Sequence, residues 1–143
     1  MTSLAQPYRS RHLPGRRAAA AIAGSVVAPV LVWAVAAATG TDLRVTPPGQ
    51  STITVNVGFV VVTTLLAALV GWGALAILRR LSHRARSVWT ILALAALLLS
   101  LIPLATSQAT ASTRVFLALM HIAVAAVLVP GLRAASAARD GET

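Results

Sequence analysis

The chain has no cysteine, which excludes disulfide staples, cysteine metal sites and thiol nucleophiles. Lysine is missing too, so every basic side chain with a fixed charge is an arginine. Only three Asp or Glu residues stand against twelve arginines, for a net charge of +9. Carboxylate pairs suited to general acid–base work, a His-Glu-x-x-His zinc motif and a Gly-x-Ser-x-Gly elbow are all lacking. Charged residues make up 10% of the 143 positions, against roughly 25% in a typical soluble domain. A composition that is 57% hydrophobic leaves far too little polar surface to wrap a small water-soluble core. That excludes a soluble enzyme. The Arg-for-Lys, Ala-rich bias is that of a high-GC coding sequence and carries no mechanism.

What the chain does have is long apolar runs. A spanning helix needs roughly 17–25 apolar residues to cross a hydrocarbon core about 30 Å thick. Residues 18–39, 57–78, 88–105 and 115–132 meet that length, and none contains Asp, Glu, Lys or Arg. Each is apolar nearly all round, as expected of a helix facing both lipid and neighbouring helices. Hydrocarbon offers backbone amides no partner, so a spanning segment must satisfy them internally as a helix. The expected fold class is an all-α membrane protein, a four-transmembrane-helix bundle.

The arginines set the expected orientation. Arg9, Arg11, Arg16 and Arg17 precede the first span; Arg79, Arg80, Arg84 and Arg86 separate the second and third; Arg133 and Arg139 follow the fourth. Only Arg44 and Arg114 fall on the other side. Short Arg-rich loops stay cytoplasmic, so the reading is N-in/C-in, in the inner (plasma) membrane. The same arginines lie where anionic headgroups are, worth about 1 kcal/mol each near a charged surface. The expected partners are therefore the lipid bilayer, its anionic headgroups, and a second copy or another membrane protein. Nucleic acid is not expected, because no aromatic or helix-turn-helix pattern accompanies the charge.

Residues 1–17 contain Pro7, Pro14 and Gly15 without apolar periodicity and read as a disordered cytoplasmic tail; 133–143 read as a C-terminal tail, loose beyond its first turn. Residues 18–132 form a single domain. The first span has a basic start and Ala-x-Ala-like sites, but it exceeds the roughly 7–15 residues of a signal h-region. An uncleaved anchor is expected, with a signal peptide as the alternative. In the first outer loop, Leu43 and Val45, then Ile53, Val55 and Val57, alternate with polar neighbours around Pro47-Pro48-Gly49-Gln50. This predicts a short extracytoplasmic β-hairpin between the first two helices, a solvated connector being the alternative. Asp42 and Arg44 share one face of such a strand, and Arg114 emerges nearby. An exposed pair there contributes only about 0–1 kcal/mol.

Counting inward from the outer helix ends places Trp33, Thr63, Ser100 and His121 at one depth, roughly 8–9 Å below the boundary. They form a candidate intramembrane polar layer, with Thr64 as a substitute for Thr63. His121 is the only ionisable side chain within a span, and such residues face the bundle or a water-filled cavity. One reading has a neutral imidazole bonded to Ser100 or a threonine, holding the third and fourth helices in register. The other gives it a role in proton transfer or as an axial ligand. A bis-His haem is disfavoured because His12 and His83 are both cytoplasmic, and no second metal ligand shares its depth. No cofactor is expected.

Gly24 with Ala28, and Ala67 with Gly71, are small-xxx-small pairs that permit close helix approach, and Gly73 follows. Pro29 lies mid-span and predicts a kink; Pro103 and Pro130 lie near span ends and predict termination. Trp33, Asp42-Leu43-Arg44-Val45, Gly71-Trp72-Gly73, Trp89-Thr90, Leu99-Ser100-Leu101 with Pro103, and Leu119-Met120-His121 through Val129-Pro130-Gly131 carry a resemblance. Over 18–133 the chain resembles an actinobacterial family of small four-helix membrane proteins known only as a domain of unknown function. The resemblance implies an actinobacterial inner-membrane protein of four spans, and no activity or catalytic residue. The expected role is non-enzymatic, a structural or interaction component of the cell envelope. The alternative is a small transporter or channel subunit with His121 lining a polar path.

Overall fold

The computed structural model describes residues 14–140 except His83. The reading of 1–13 as a loose tail, with Arg9, Arg11 and His12, lies outside the described residues, as do those of His83 and of 141–143. Six elements follow in order: α1 Pro14–Ala38, β1 Arg44–Val45, β2 Ile53–Thr54, α2 Val57–Leu81, α3 Ala85–Thr106 and α4 Ala111–Asp140.

The helix ends follow local chemistry. Pro14 opens α1, where its missing N–H costs nothing and its fixed φ suits the first turn. Gly40, at φ 71°, closes α1 in the left-handed region, its N–H donating to Ala37 O at 3.1 Å. The Asn56 side chain accepts the Phe59 amide at 2.9 Å and starts α2. Arg79 and Arg80 lie in its last turn, where the helix dipole favours cations. Thr110 Oγ1 accepts the Thr113 amide at 3.2 Å at the start of α4.

Most helices overrun the apolar spans read from the sequence by one to eight residues, and two of the overruns enter segments read as tails. Residues 14–17 are already helical, and α4 runs through Pro130 to Asp140 instead of stopping at 132. A proline removes one backbone bond. Beyond it, Ala134, Ala135 and Ala137 are strong helix formers, and Leu132, Ala135 and Ser136 are buried. That packing outweighs the break. Pro29 is likewise interior to an uninterrupted α1 and fully buried.

Arg16–Ala38, Val57–Leu81, Ala85–Thr106 and Ala111–Ala137 are each long and apolar enough to cross a membrane. Large apolar side chains such as Leu31, Val70 and Leu98 are 62%, 72% and 66% exposed, a surface suited to lipid. These features mark a multi-pass membrane protein. Consecutive helices run antiparallel in a ring: α1 packs on α2 and most extensively on α4, α3 packs on α2 and α4, and α2 barely meets α4 across the diagonal. One end carries the β-strands, and the other carries Arg16, Arg17, Arg79, Arg80, Arg84, Arg86 and Arg133; these are called the sheet end and the arginine end.

At the sheet end β1 and β2 pair antiparallel, Arg44 opposite Thr54 and Val45 opposite Ile53. Gly49, at φ 72°, with Gln50 N donating to Pro47 O at 3.1 Å, makes the intervening turn. Thr46 exchanges two 3.0 Å backbone bonds with Gln108, joining the α1–α2 and α3–α4 connections. Two separate cores result. Ala36, Leu43, Val55, Val60, Leu117 and Met120 fill the sheet end. Ala18, Ala21, Ala68, Leu75, Trp89, Leu128, Leu132 and Ala135 fill the arginine end.

Candidate functional site

Between the two cores lies a cavity of about 580 Å³. Its cause is side-chain size. On α4 the inward row is Leu117, Met120, His121, Val124 and Leu128; on α3 it is Trp89, Ala93, Ala96, Leu97 and Ser100. These spacings of three, four and seven put each row on one helix face. Where the rows oppose α2 the lining is small, with Ala67, Gly71, Ala93, Ala96 and Ala125, whereas Trp89 and Leu128 close one end and Phe59 and Met120 the other. Helices held apart at both ends by bulky residues cannot collapse onto alanines in the middle. The cavity opens sideways between α2 and α3, where its lining residues Phe59, Val70 and Leu92 are 47%, 72% and 51% exposed. On α2 the lining runs from Phe59 to Gly71, about 18 Å at the standard rise.

The structure brings Thr63, Ser100 and His121 to this one cavity, together with Thr64. Trp33 is not among its lining residues. Its Nε1 donates to Val55 O at 3.0 Å, so the indole fastens α1 to the strand end beside the sheet. No network joins the polar side chains. Thr63 Oγ1 donates to Phe59 O at 2.6 Å, and Ser100 Oγ to Leu97 O at 2.7 Å. His121 Nδ1 lies 2.7 Å from Leu117 O. The expected bridge from His121 to Ser100 or a threonine therefore does not form. For these three side chains a carbonyl three or four residues back on the same helix is within reach, and it wins over a partner across open space.

The protonation pattern of the ring follows. Leu117 O can only accept, so His121 Nδ1 carries a proton and donates. Nε2 has no hydrogen-bond partner among the described residues. Among the described residues no sealed side-chain N or O atom lacks a partner, so the half-buried His121 presents Nε2 to open space. The same reasoning applies to Thr64, a residue only 7% exposed whose hydroxyl bonds to nothing. These two atoms, on α4 and α2, are the polar groups of the cavity without a partner among the described residues.

The outer-loop charges are arranged differently from the sequence reading. Arg114 Nη2 donates to Ser107 O at 3.0 Å, and Thr113 Oγ1 donates to Asp42 O at 3.1 Å. Asp42 is thus tied to α4 through its backbone carbonyl, while its side chain and that of Arg44 are exposed. Through these bonds Asp42 and Arg114 brace the sheet end.

Two contacts escaped the sequence reading. Trp89 is 3% exposed and its Nε1 donates to Gly71 O at 2.9 Å, fastening α3 to α2. Gly131 is the tightest helix crossing, since a Cβ there would lie 2.6 Å from Ala21 Cβ. Of the glycines singled out earlier, Gly24 faces Val127 on α4, with 3.1 Å available to a Cβ, and Gly71 faces Leu128 and Trp89; Gly73 faces open space. The only available signal for Gly131 was its place two residues before Arg133, at the same end of the bundle as Ala18 and Ala21.

No curated protein and no solved structure matches the chain. A family model described as a family of unknown function, DUF6069, matches residues 9–138. That match spans nearly all four helices and the sheet between the first two, so the chain belongs to the DUF6069 family.

Proposed function

We propose that this chain is a non-catalytic interaction component of an actinobacterial inner membrane, and that it holds an apolar molecule within the bilayer. The observation that carries this reading is the cavity between α2 and α3, open toward the lipid side. Its 580 Å³ falls within the roughly 300–1,000 Å³ of small-molecule sites. Among the described residues its lining contains no arginine and no carboxylate, so an entering ligand meets hydrocarbon, three hydroxyls and one imidazole. The polar groups, Thr63, Thr64, Ser100 and His121, occupy the half nearer the sheet; the half toward Trp89 and Leu128 is apolar. Polar groups confined to one half, with no charged ring among the described lining residues to attract an ion, argue for storage or presentation of a hydrophobe over transport of a hydrophilic solute. The test is a long-chain hydrocarbon bearing a diazirine, photolysed with the protein in phosphatidylcholine vesicles. Labelling should map to α2, α3 and α4 lining residues and fall several-fold in Ala96→Phe, which fills the cavity from α3. Equal labelling of wild type and variant would overturn the reading.

The proposed orientation puts the arginine end in the cytoplasm and the sheet outside, because Arg16, Arg17, Arg79, Arg80, Arg84, Arg86 and Arg133 cluster at one end and, among the described residues, Arg44 and Arg114 alone lie at the other. The lack of native cysteine makes this simple to check. Ser51→Cys, at an exposed turn of the sheet end, should react with a membrane-impermeant maleimide in intact cells. Ser82→Cys, in the α2–α3 connection, should react only after permeabilisation. The reverse pattern would invert the assignment.

A further inference from the structure

The cavity also contains information about its occupant, and the inference rests on the hydrophobe-binding reading above. We infer that the ligand is an uncharged, extended lipid bearing a hydroxyl, whose O–H donates to His121 Nε2 while its chain runs toward Trp89.

Three observations define that class. The first is shape. Lining along α2 extends from Phe59 to Gly71, about 18 Å, and the space opens sideways between α2 and α3. Such an opening admits a chain entering from the bilayer. The second is charge. A phosphate or carboxylate at this depth requires a cationic partner to offset its desolvation, and no arginine lines the cavity. A cationic headgroup would equally lack an acidic partner. The third is hydrogen-bond polarity. Nδ1 is committed as a donor to Leu117 O, and no lining carboxylate balances a charged ring. The neutral tautomer with its proton on Nδ1 leaves Nε2 as an acceptor. A ketone or ester oxygen offers it nothing, whereas an alcohol or phenol does. Thr64 Oγ1, accessible from the cavity on an otherwise buried residue of α2 and without a hydrogen-bond partner among the described residues, is the second polar atom at this level. Toward Leu128 the lining has only apolar side chains, apart from the Trp89 indole N–H already given to Gly71 O. The cavity is thus graded from acceptor and hydroxyl to hydrocarbon, matching a head-and-tail alcohol.

The test is competition against the diazirine hydrocarbon in phosphatidylcholine vesicles, with oleyl alcohol and its methyl ether added at matched mole fractions. The ether keeps the chain and the oxygen but has no proton to give. Wild type should favour the alcohol by about five-fold, the value of one intramembrane hydrogen bond. His121→Leu should make the two competitors equal. His121→Gln, which restores an acceptor oxygen, should recover part of the preference, and Thr64→Val supplies an isosteric change on the opposite helix that should narrow it. Equal competition by alcohol and ether in the wild type, with cavity labelling intact, would overturn hydroxyl recognition and leave hydrophobe binding standing. Absence of any labelling of cavity residues would overturn both.

Discussion

Trp89→Ala is expected to destabilise the bundle by about 3 kcal/mol, at the low end of the range for removing a large buried aromatic. The reason for so large an effect at one position is the poverty of α3. Only Ala85 and Trp89 are buried on that helix, and 6% of its apolar window is covered, against 22% in each of the others. Trp89 is therefore the one buried residue that α3 contributes to the arginine-end core, where it clusters with Ala68, Leu75 and Leu128. The low end applies because lipid tails are as apolar as the site and no hydrophobic transfer term drives helices together in a bilayer. Lost packing remains, together with the 2.9 Å bond from Nε1 to Gly71 O. Trp89→Phe separates the two parts. It keeps most of the ring volume and loses only the hydrogen bond, for an expected cost of about 1 kcal/mol. Unfolding in mixed micelles by added dodecyl sulfate, followed by circular dichroism, measures both. Equal costs for Ala and Phe would show that the bond, not the packing, joins α3 to α2.

The functional consequence of Trp89→Ala follows from its place in the cavity wall. Trp89 closes the arginine end of the space between α2 and α3. Its removal lengthens the cavity and widens its lateral opening, so hydrocarbon labelling should spread toward Leu75 and Ala85.

The four spans were legible because hydrocarbon imposes one solution on any charge-free apolar run of sufficient length. Position along each helix was legible for a related reason. A rise of about 1.5 Å per residue converts counting into distance, and Thr63, Ser100 and His121 do line a common cavity. The direction in which each side chain points around its helix was not legible. Near-uniform hydrophobicity removes the amphipathic stripe that reports it in soluble proteins. Trp33, at the same counted depth, consequently turns out to serve Val55 and the sheet. Hydrogen-bond choice was hidden too, because a local carbonyl and a cross-helix partner look alike in a one-dimensional pattern. The continuation of α4 past Pro130 needed knowledge that Leu132 and Ala135 have Ala18 and Ala21 to pack against. The cavity itself was masked by composition. Alanines at 67, 93, 96 and 125 look like coding bias in a chain with so many others, and only the bulky neighbours at each end turn them into space.

Gly131→Ala tests the crossing on which the α1–α4 pair depends. The new methyl carbon would lie 2.6 Å from Ala21 Cβ and 3.4 Å from Ala21 Cα. Neither is the end of a flexible side chain, so relief requires α1 and α4 to move apart. Alanine improves helix propensity by about 1 kcal/mol over glycine. Overpacking typically costs about 1–3 kcal/mol and falls here on the most extensive helix pair. A net loss of about 1–2 kcal/mol is expected, and Gly131→Leu should be far worse because the whole side chain would have to enter the crossing. Ala21→Gly supplies the compensating change. In Gly131→Ala with Ala21→Gly the 2.6 Å contact disappears and only the 3.4 Å approach to the Ala21 backbone remains, which ordinary packing accommodates. The double variant should regain most of the loss, with a coupling energy above about 1 kcal/mol, measured by the same dodecyl sulfate titration. If the two effects simply add, Gly131 and Ala21 do not share a contact, and the tight crossing of α1 with α4 is located elsewhere along the pair. Gly24, where a Cβ would come within 3.1 Å of the rotatable Val127 Cγ1, then becomes the position to test.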